Sequence, residues 1–169
     1  MAEILEKIPC ETKWEITAKS LTGAFTAQWP ILIPIMGKEK WQEISDNIWA
    51  GGAKMAFPQI KEAFNIPVED AIGAYKLYQT VAQLQMGPES EFEYVEETPE
   101  RVVVRYTKCP WWERAKELGV KPEFRICPGG HQAWGDEGLK AINPKFTHKV
   151  TKAMPKGDPY CEVIIEFKK

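Results

Sequence analysis

The sequence predicts an α+β fold, an N-terminal helical layer followed by a four-stranded antiparallel sheet in the order β-β-α-α-β-β. Three observations carry this expectation. Apolar residues recur at helical spacing in the first half, up to Gly87. From Glu91 the period shortens to two, in "EFEYVEE" and "RVVVRYT". Two further strand-like runs close the chain, and two helical stretches lie between the strand pairs. With 169 residues the chain can bury a core as one domain, read here as residues 1–169, with a helical part over about 1–87 and an α+β part over about 88–169.

Each element has a local reason. In "KEKWQEISDNIWAGGAKMAF", Trp41, Ile44, Ile48, Gly52 and Met55 follow helical spacing and predict the buried stripe. Gly51 and Gly52 suit a close helix crossing or ligand approach, and Pro58 predicts a break or kink. The next helix opens near Glu69 and Asp70, whose charge complements the N-terminal dipole. Val68, Ala71, Ile72, Tyr75, Tyr78 and Ala82 form its apolar stripe, and Gly87-Pro88 ends it. Thr98-Pro99-Glu100 joins the first strand pair as a hairpin. In "CPWWERAKELG", Pro110 fits a first helical turn and Gly119 a C-terminal cap. A second helix is expected after "CPGG", and "KFTHKVTKAM" and "CEVIIEFKK" read as the last strand pair, expected with helices on one sheet face.

Composition narrows the function. A net charge of −2 gives no basic excess for gripping phosphates, so nucleic acid is not an expected partner. The opening residues lack the cationic and long apolar regions of a signal peptide. The most apolar run, "WPILIPIMG", is nine residues with two prolines, too short to span a bilayer, so no membrane partner is expected and the expected compartment is the cytoplasm. The seven tryptophans are expected mainly in the core, with a ligand pocket as the alternative. A small molecule is the expected partner, and a homo-oligomer is left open.

The chemistry concentrates in the cysteines. Cys10 lies apart in an N-terminal segment expected to be frayed and is read as structural, whereas Cys109, Cys127 and Cys161 fall at element edges, where sites are usually built. "RICPGGHQAWGDEG" places His131 one helical turn beyond Cys127. Two chemistries and one bland alternative stay open. Cys109, Cys127, Cys161 and His131 form a candidate metal set for tetrahedral zinc, or three thiolates for an iron–sulfur cluster, although no CxxC pair is present. Alternatively Cys127 is a nucleophile, its pKa lowered at a helix N-terminus and its proton taken by His131, with Gly129 and Gly130 leaving room for a substrate and an oxyanion. The bland alternative is buried thiols, with Cys161 in register with Val163, Ile165 and Phe167. His148 alternates with Phe146 and Val150 and is expected to be packed or hydrogen-bonded. No GxGxxG, P-loop or GxSxG motif indicates a nucleotide cofactor or a serine hydrolase.

The order "CPWWERAKELG … C … H … INPKFTHKVTKAMPKGDPYCEVIIEF" resembles the L-2-amino-thiazoline-4-carboxylate hydrolase-like family over roughly residues 88–169. Its closing Gly-Asp-x-x-Cys is also similar to vinyl-reductase-type small-molecule-binding domains. The resemblance implies hydrolytic opening of a small cyclic substrate and carries over Cys109, Cys127, His131, Asp158 and Cys161 as site candidates. For Asp158, turn chemistry beside Gly157 competes with catalysis. The leading expectation is therefore a small cytoplasmic hydrolase-like enzyme acting on a cyclic or electrophilic substrate. Cys127, His131, Cys109 and Asp158 would be catalytic, with or without zinc or an iron–sulfur cluster. The alternative is a non-catalytic sensor or carrier of a small ligand or metal.

Overall fold

The computed structural model describes residues 2–168, and side chains over 4–168. The helical layer comprises α1 (Ala2–Lys7), α2 (Cys10–Ala27), α3 (Trp29–Met36), α4 (Lys38–Ala63) and α5 (Ala71–Met86). The hairpin β1 (Glu91–Glu97) and β2 (Arg101–Lys108) leads to α6 (Pro110–Glu117) and α7 (Gly129–Ile142), then to β3 (Phe146–Lys152) and β4 (Cys161–Phe167). The sheet is antiparallel throughout, in the order β1-β2-β4-β3. The last hairpin therefore inserts β4 beside β2 and leaves β1 and β3 as edges. The α+β class and the β-β-α-α-β-β order are as expected.

Turn and cap chemistry explains the boundaries. Asp70 caps α5, its Oδ1 accepting from the Gly73 N–H at 2.8 Å. Gly119, at φ +61°, follows α6 in the left-handed conformation that glycine adopts without steric cost. Asp158 Oδ2 accepts from the Ala153 N–H at 2.8 Å and ties off the β3–β4 connection.

Pairing across the sheet sets one buried face. Val102 stands opposite Ile165, Val104 opposite Val163, and Tyr106 opposite Cys161. His148 pairs with Ile165, which brings it onto this face, where it is 4% exposed. Against the face lie α5, through Ala74, Tyr75, Tyr78 and Val81, and then α4 and α7, through Phe57, Trp134 and Leu139. The main core thus draws on both halves of the chain.

Four local expectations are corrected. The buried side of α4 is Trp41, Ser45, Ala53 and Phe57, while Ile48 and Met55 are exposed. The helix turns Trp41 and Phe57 inward with Ser45 and Ala53 between them, and glycines on α7 make room for aromatic rings of α4. Secondly, α4 runs through Pro58 to Ala63, with Ile60 packed on the core beyond it. The missing N–H costs one helical bond, and packing on both sides of it holds the helix together. Thirdly, Gly51 and Gly52 are not at the crossing, since an added Cβ on either would meet nothing within 4 Å. The close approach is made by α7. A Cβ on Gly138 would lie 2.5 Å from the Phe57 ring, and one on Gly135 would lie 2.5 Å from the His148 ring. Lastly, Cys10 begins the 18-residue helix α2 instead of lying in a frayed segment.

Gly138→Ala should therefore destabilise the protein by about 1–3 kcal/mol, because the fully buried Phe57 has nowhere to move. Gly51→Ala should stabilise it by about 0.5–1 kcal/mol through helix propensity alone. Chemical denaturation of the two variants checks both signs.

Candidate functional site

Where α4, α5 and α7 meet the ends of β2 and β4, and α2, α3 and α6 approach from the N-terminal layer, a cavity of about 100 Å³ remains. Helical spacing builds its walls. Trp41, Ser45 and Trp49 come from successive turns of α4, Tyr78 and Ala82 from α5, and Gly130, His131 and Trp134 from the first turns of α7. The cross-strand pair Tyr106 and Cys161 forms the floor at the sheet, with Cys109 just past the end of β2. Phe25, Trp49 and Trp111 close one side as a mutually touching aromatic group, with ring centroids 5.2 to 6.2 Å apart. Five tryptophans line this space: Trp29, Trp41, Trp49, Trp111 and Trp134. Most of them are core residues as well, so the two expectations for the tryptophans coincide at one place.

The titratable groups in the walls are held neutral. Burial pushes the Cys127 thiol well above its ordinary range, raises Cys109, and takes Cys161 to about 12. Burial also lowers His131 to about 4 and places His148 well below the ordinary imidazole range. Cys109, Cys127 and His131 keep some accessible surface only because they border the cavity. Protein surrounds them otherwise, which is why desolvation dominates. The hydroxyl of Tyr78 is hydrogen-bonded to Nε2 of His131, and its own ionisation is pushed far up by burial. Deeper in, the Tyr106 hydroxyl donates to Gln79 Oε1 at 2.7 Å and lies 3.0 Å from the Tyr75 hydroxyl. Among the described residues the lining contains no Asp, Glu, Lys or Arg side chain.

The expected site residues divide as follows. Cys109, Cys127, Cys161 and His131 all line this cavity, although they come from three separate places in the chain. They do not form a ligand set. Among the described residues no group of three or more His, Cys, Asp or Glu side chains is arranged to hold a metal ion. All three thiols also border one smaller void beside the cavity, but Nε2 of His131 is engaged by Tyr78, and the Met154 N–H donates to the Cys161 sulfur at 3.3 Å. The zinc and iron–sulfur expectations therefore find no fit in the residues present.

The activated-thiol expectation also changes. Pro128, not Cys127, precedes the first turn of α7, so the thiol lies outside the helix terminus, and burial raises its pKa instead of lowering it. No hydrogen bond joins Cys127 to His131 among the described residues. The room expected over Gly129 and Gly130 is taken by Gln42 and by Trp49, with the Trp49 ring 2.5 Å from where a Gly130 Cβ would stand. Asp158 does not line the cavity; it serves the turn. His148 is packed as expected, against Gly135, with Gln132 Nε2 donating to its carbonyl at 2.8 Å.

The sequence argument passed over Tyr78, Trp41, Trp49 and Ser45. Tyr78 had been placed in a core stripe without a role. The signal available for the others was the high tryptophan count, together with Trp41, Ser45 and Trp49 at i, i+4 and i+8.

Comparison with known proteins follows from this geometry. No protein of curated function matches the chain by sequence. Among solved structures, the phenol-responsive sensory domain of the transcription activator PoxR, determined with phenol, is similar with a TM-score of 0.60 at 10% identity, over 86% of this chain and 74% of that one. A trafficking protein particle complex subunit 3 from Naegleria fowleri, covalently bound to palmitic acid, is similar with a TM-score of 0.62 at 8% identity, over 88% of this chain and 95% of that one. At such identities the likeness is one of fold. The family model for L-2-amino-thiazoline-4-carboxylic acid hydrolase matches residues 18–165, well beyond the C-terminal half in which the resemblance was legible, and so the chain belongs to that family.

Proposed function

We propose that this protein binds a small, uncharged, ring-shaped molecule in the aromatic cavity, as a sensor or carrier domain. The observation that carries the proposal is the combination of aromatic walls with the absence of any ionised side chain from the lining, among the described residues. Transfer of a neutral ring from water into such walls is favourable through apolar burial and ring stacking. A charged ligand would lose its hydration and meet no counter-ion. At about 100 Å³ the cavity is of the same order as, and somewhat smaller than, a cavity of about 150 Å³ in another small protein that accepts benzene, which limits a ligand to one small ring. The phenol-bound sensory domain, similar in fold, supports this reading. The palmitate of the other neighbour does not transfer to a cavity of about 100 Å³, which is too small for a long acyl chain.

Family membership favours a second reading, hydrolysis of a thiazoline. Two features of this chain weigh against the substrate in the family's description. Its carboxylate would find no Lys or Arg in the lining. The Cys127 thiol is held neutral and has no hydrogen bond to a base. Ring opening of L-2-amino-thiazoline-4-carboxylate by the purified protein is expected to be undetectable. Turnover that disappears in Cys127→Ser would reverse the order of the two readings.

Binding itself is tested by calorimetry or tryptophan fluorescence with a panel of single-ring compounds. Binding in the wild type and its loss in Ala82→Leu, which places a larger side chain in the cavity wall, is the expected pair of results. A fully folded Ala82→Leu protein that binds as the wild type does would place the ligand elsewhere.

The affinity should not vary between about pH 6 and pH 9, because His131 stays unprotonated and the thiols stay protonated across that range. It should fall as the pH approaches 4, where His131 takes up a proton and introduces a charge. Stability moves the same way. The unfolded chain binds the histidine protons first, at about pH 6.5, so stability is complete above that pH and is lost on acidification toward the folded-state values. A binding titration across pH, with folding monitored in parallel, separates the two effects.

A further inference from the structure

The outer side of α4 carries a glycine pair that the fold does not use. Gly51 and Gly52 lie in the middle of the helix, and a Cβ on either would meet nothing within 4 Å. Glycine inside a helix costs stability relative to alanine, and within this chain no neighbour comes close in return. About one turn to either side stand Ile48 and Met55, 51% and 64% exposed. Farther out lie Lys40 and Glu43 near the start of the helix, and Lys61 and Glu62 near its end. At about 100° per residue, Lys40, Ile48, Gly51, Met55 and Glu62 fall within a sector of about 80° and so form one face. Exposed apolar side chains also occur elsewhere, as at Ile16 and Ile31, and taken singly they are ordinary. On α4 they flank a stretch of bare helix backbone, with mixed charges at both ends.

This face is complementary to itself. Two copies laid antiparallel about a two-fold axis at the glycine pair bring Gly51 of each against Gly52 of the other. Ile48 then meets Met55 across the axis. Lys40 comes opposite Glu62, and Glu43 comes opposite Lys61, each to within one residue. A parallel alignment would set like charge against like. Within the chain Lys40 pairs only with Glu43, at 2.8 Å and with both side chains more than half exposed, and such a surface pair is easily exchanged for another.

We infer that α4 is a self-association face, through which two copies of this chain pack as an antiparallel helix pair crossing at Gly51 and Gly52. The contact is isologous, so it closes as a dimer. The missing Cβ atoms let the two backbones approach, Ile48 and Met55 bury their exposed surface across the axis, and the end charges fix the direction of pairing. Ile48 also borders the aromatic cavity, so the interface adjoins the ligand site without depending on it.

Sedimentation equilibrium of the full chain, from low to high micromolar concentration, tests the inference. The wild type should pass from the mass of one chain to the mass of two. Gly51→Gln should raise the dissociation constant at least about tenfold. Its melting temperature at low concentration should not fall, because the single chain has room for a side chain there. Lys40→Glu and Glu62→Lys should each weaken association, and the two combined in one chain should restore it, since the opposed charges are then exchanged and again unlike. A wild type that keeps the mass of one chain at every concentration overturns the inference. So does a dimer indifferent to Gly51→Gln, or a double charge reversal that associates no better than the single ones.

Discussion

The crossing of α4 over α7 is the contact on which the rest of the structure depends. It is set by missing side chains. Gly130, Gly135 and Gly138 allow the α7 backbone to approach Trp49, His148 and Phe57 at distances a Cβ would forbid. Phe57 can then sit against Trp134, with ring centroids 4.8 Å apart, and Trp134 against Tyr78 at 5.0 Å. That stack fixes how far the start of α7 stands from α4 and α5. The start of α7 carries His131 and follows directly on Cys127, so the same contact fixes the width of the cavity. Interiors packed at this density transmit a small local change to every neighbour.

Close packing also decides the electrostatics. Desolvation outweighs the other influences on the buried thiols and imidazoles and favours their uncharged forms. Cys127 and His131 illustrate this from opposite sides, one pushed up and the other pushed down, and both end uncharged. A catalytic pair needs one member to hold a charge or to move a proton at working pH. The pair in this chain does neither without first changing its surroundings. On the function proposed above, the cavity would act by shape and ring surfaces, which are the means of a binding site.

Much of the fold was legible because it rests on short-range signals. The change of period at Glu91, the turn at Thr98-Pro99-Glu100, Pro110 and Gly119 each act within a few residues, and each is found where the sequence puts it. What misled was long-range. The aliphatic residues of α4 gave a convincing stripe, yet the inner side is Trp41, Ser45, Ala53 and Phe57 because glycines on α7 receive rings there, and no window on α4 alone carries that fact. The break expected at Pro58 misled in the same way, since packing overrides a local penalty. In the site, the co-location of Cys109, Cys127, Cys161 and His131 was legible from their positions at element edges. Their protonation was not, because burial depends on Trp49, Gln42 and Tyr78 closing over them from other elements. Tyr78 could not be told from core filler, since its role appears only once its hydroxyl meets His131.

The central claim is that the space between α4, α5 and α7 receives one neutral ring. A crystal structure of the protein soaked with a single-ring compound tests it most directly. The account predicts density for the ring among Trp49, Tyr78 and Trp134, with the Cys127 sulfur unmodified and α4 and α7 at their present separation. A ring bound at the surface, or a cavity filled by rotated tryptophans with no room for a ligand, would contradict it.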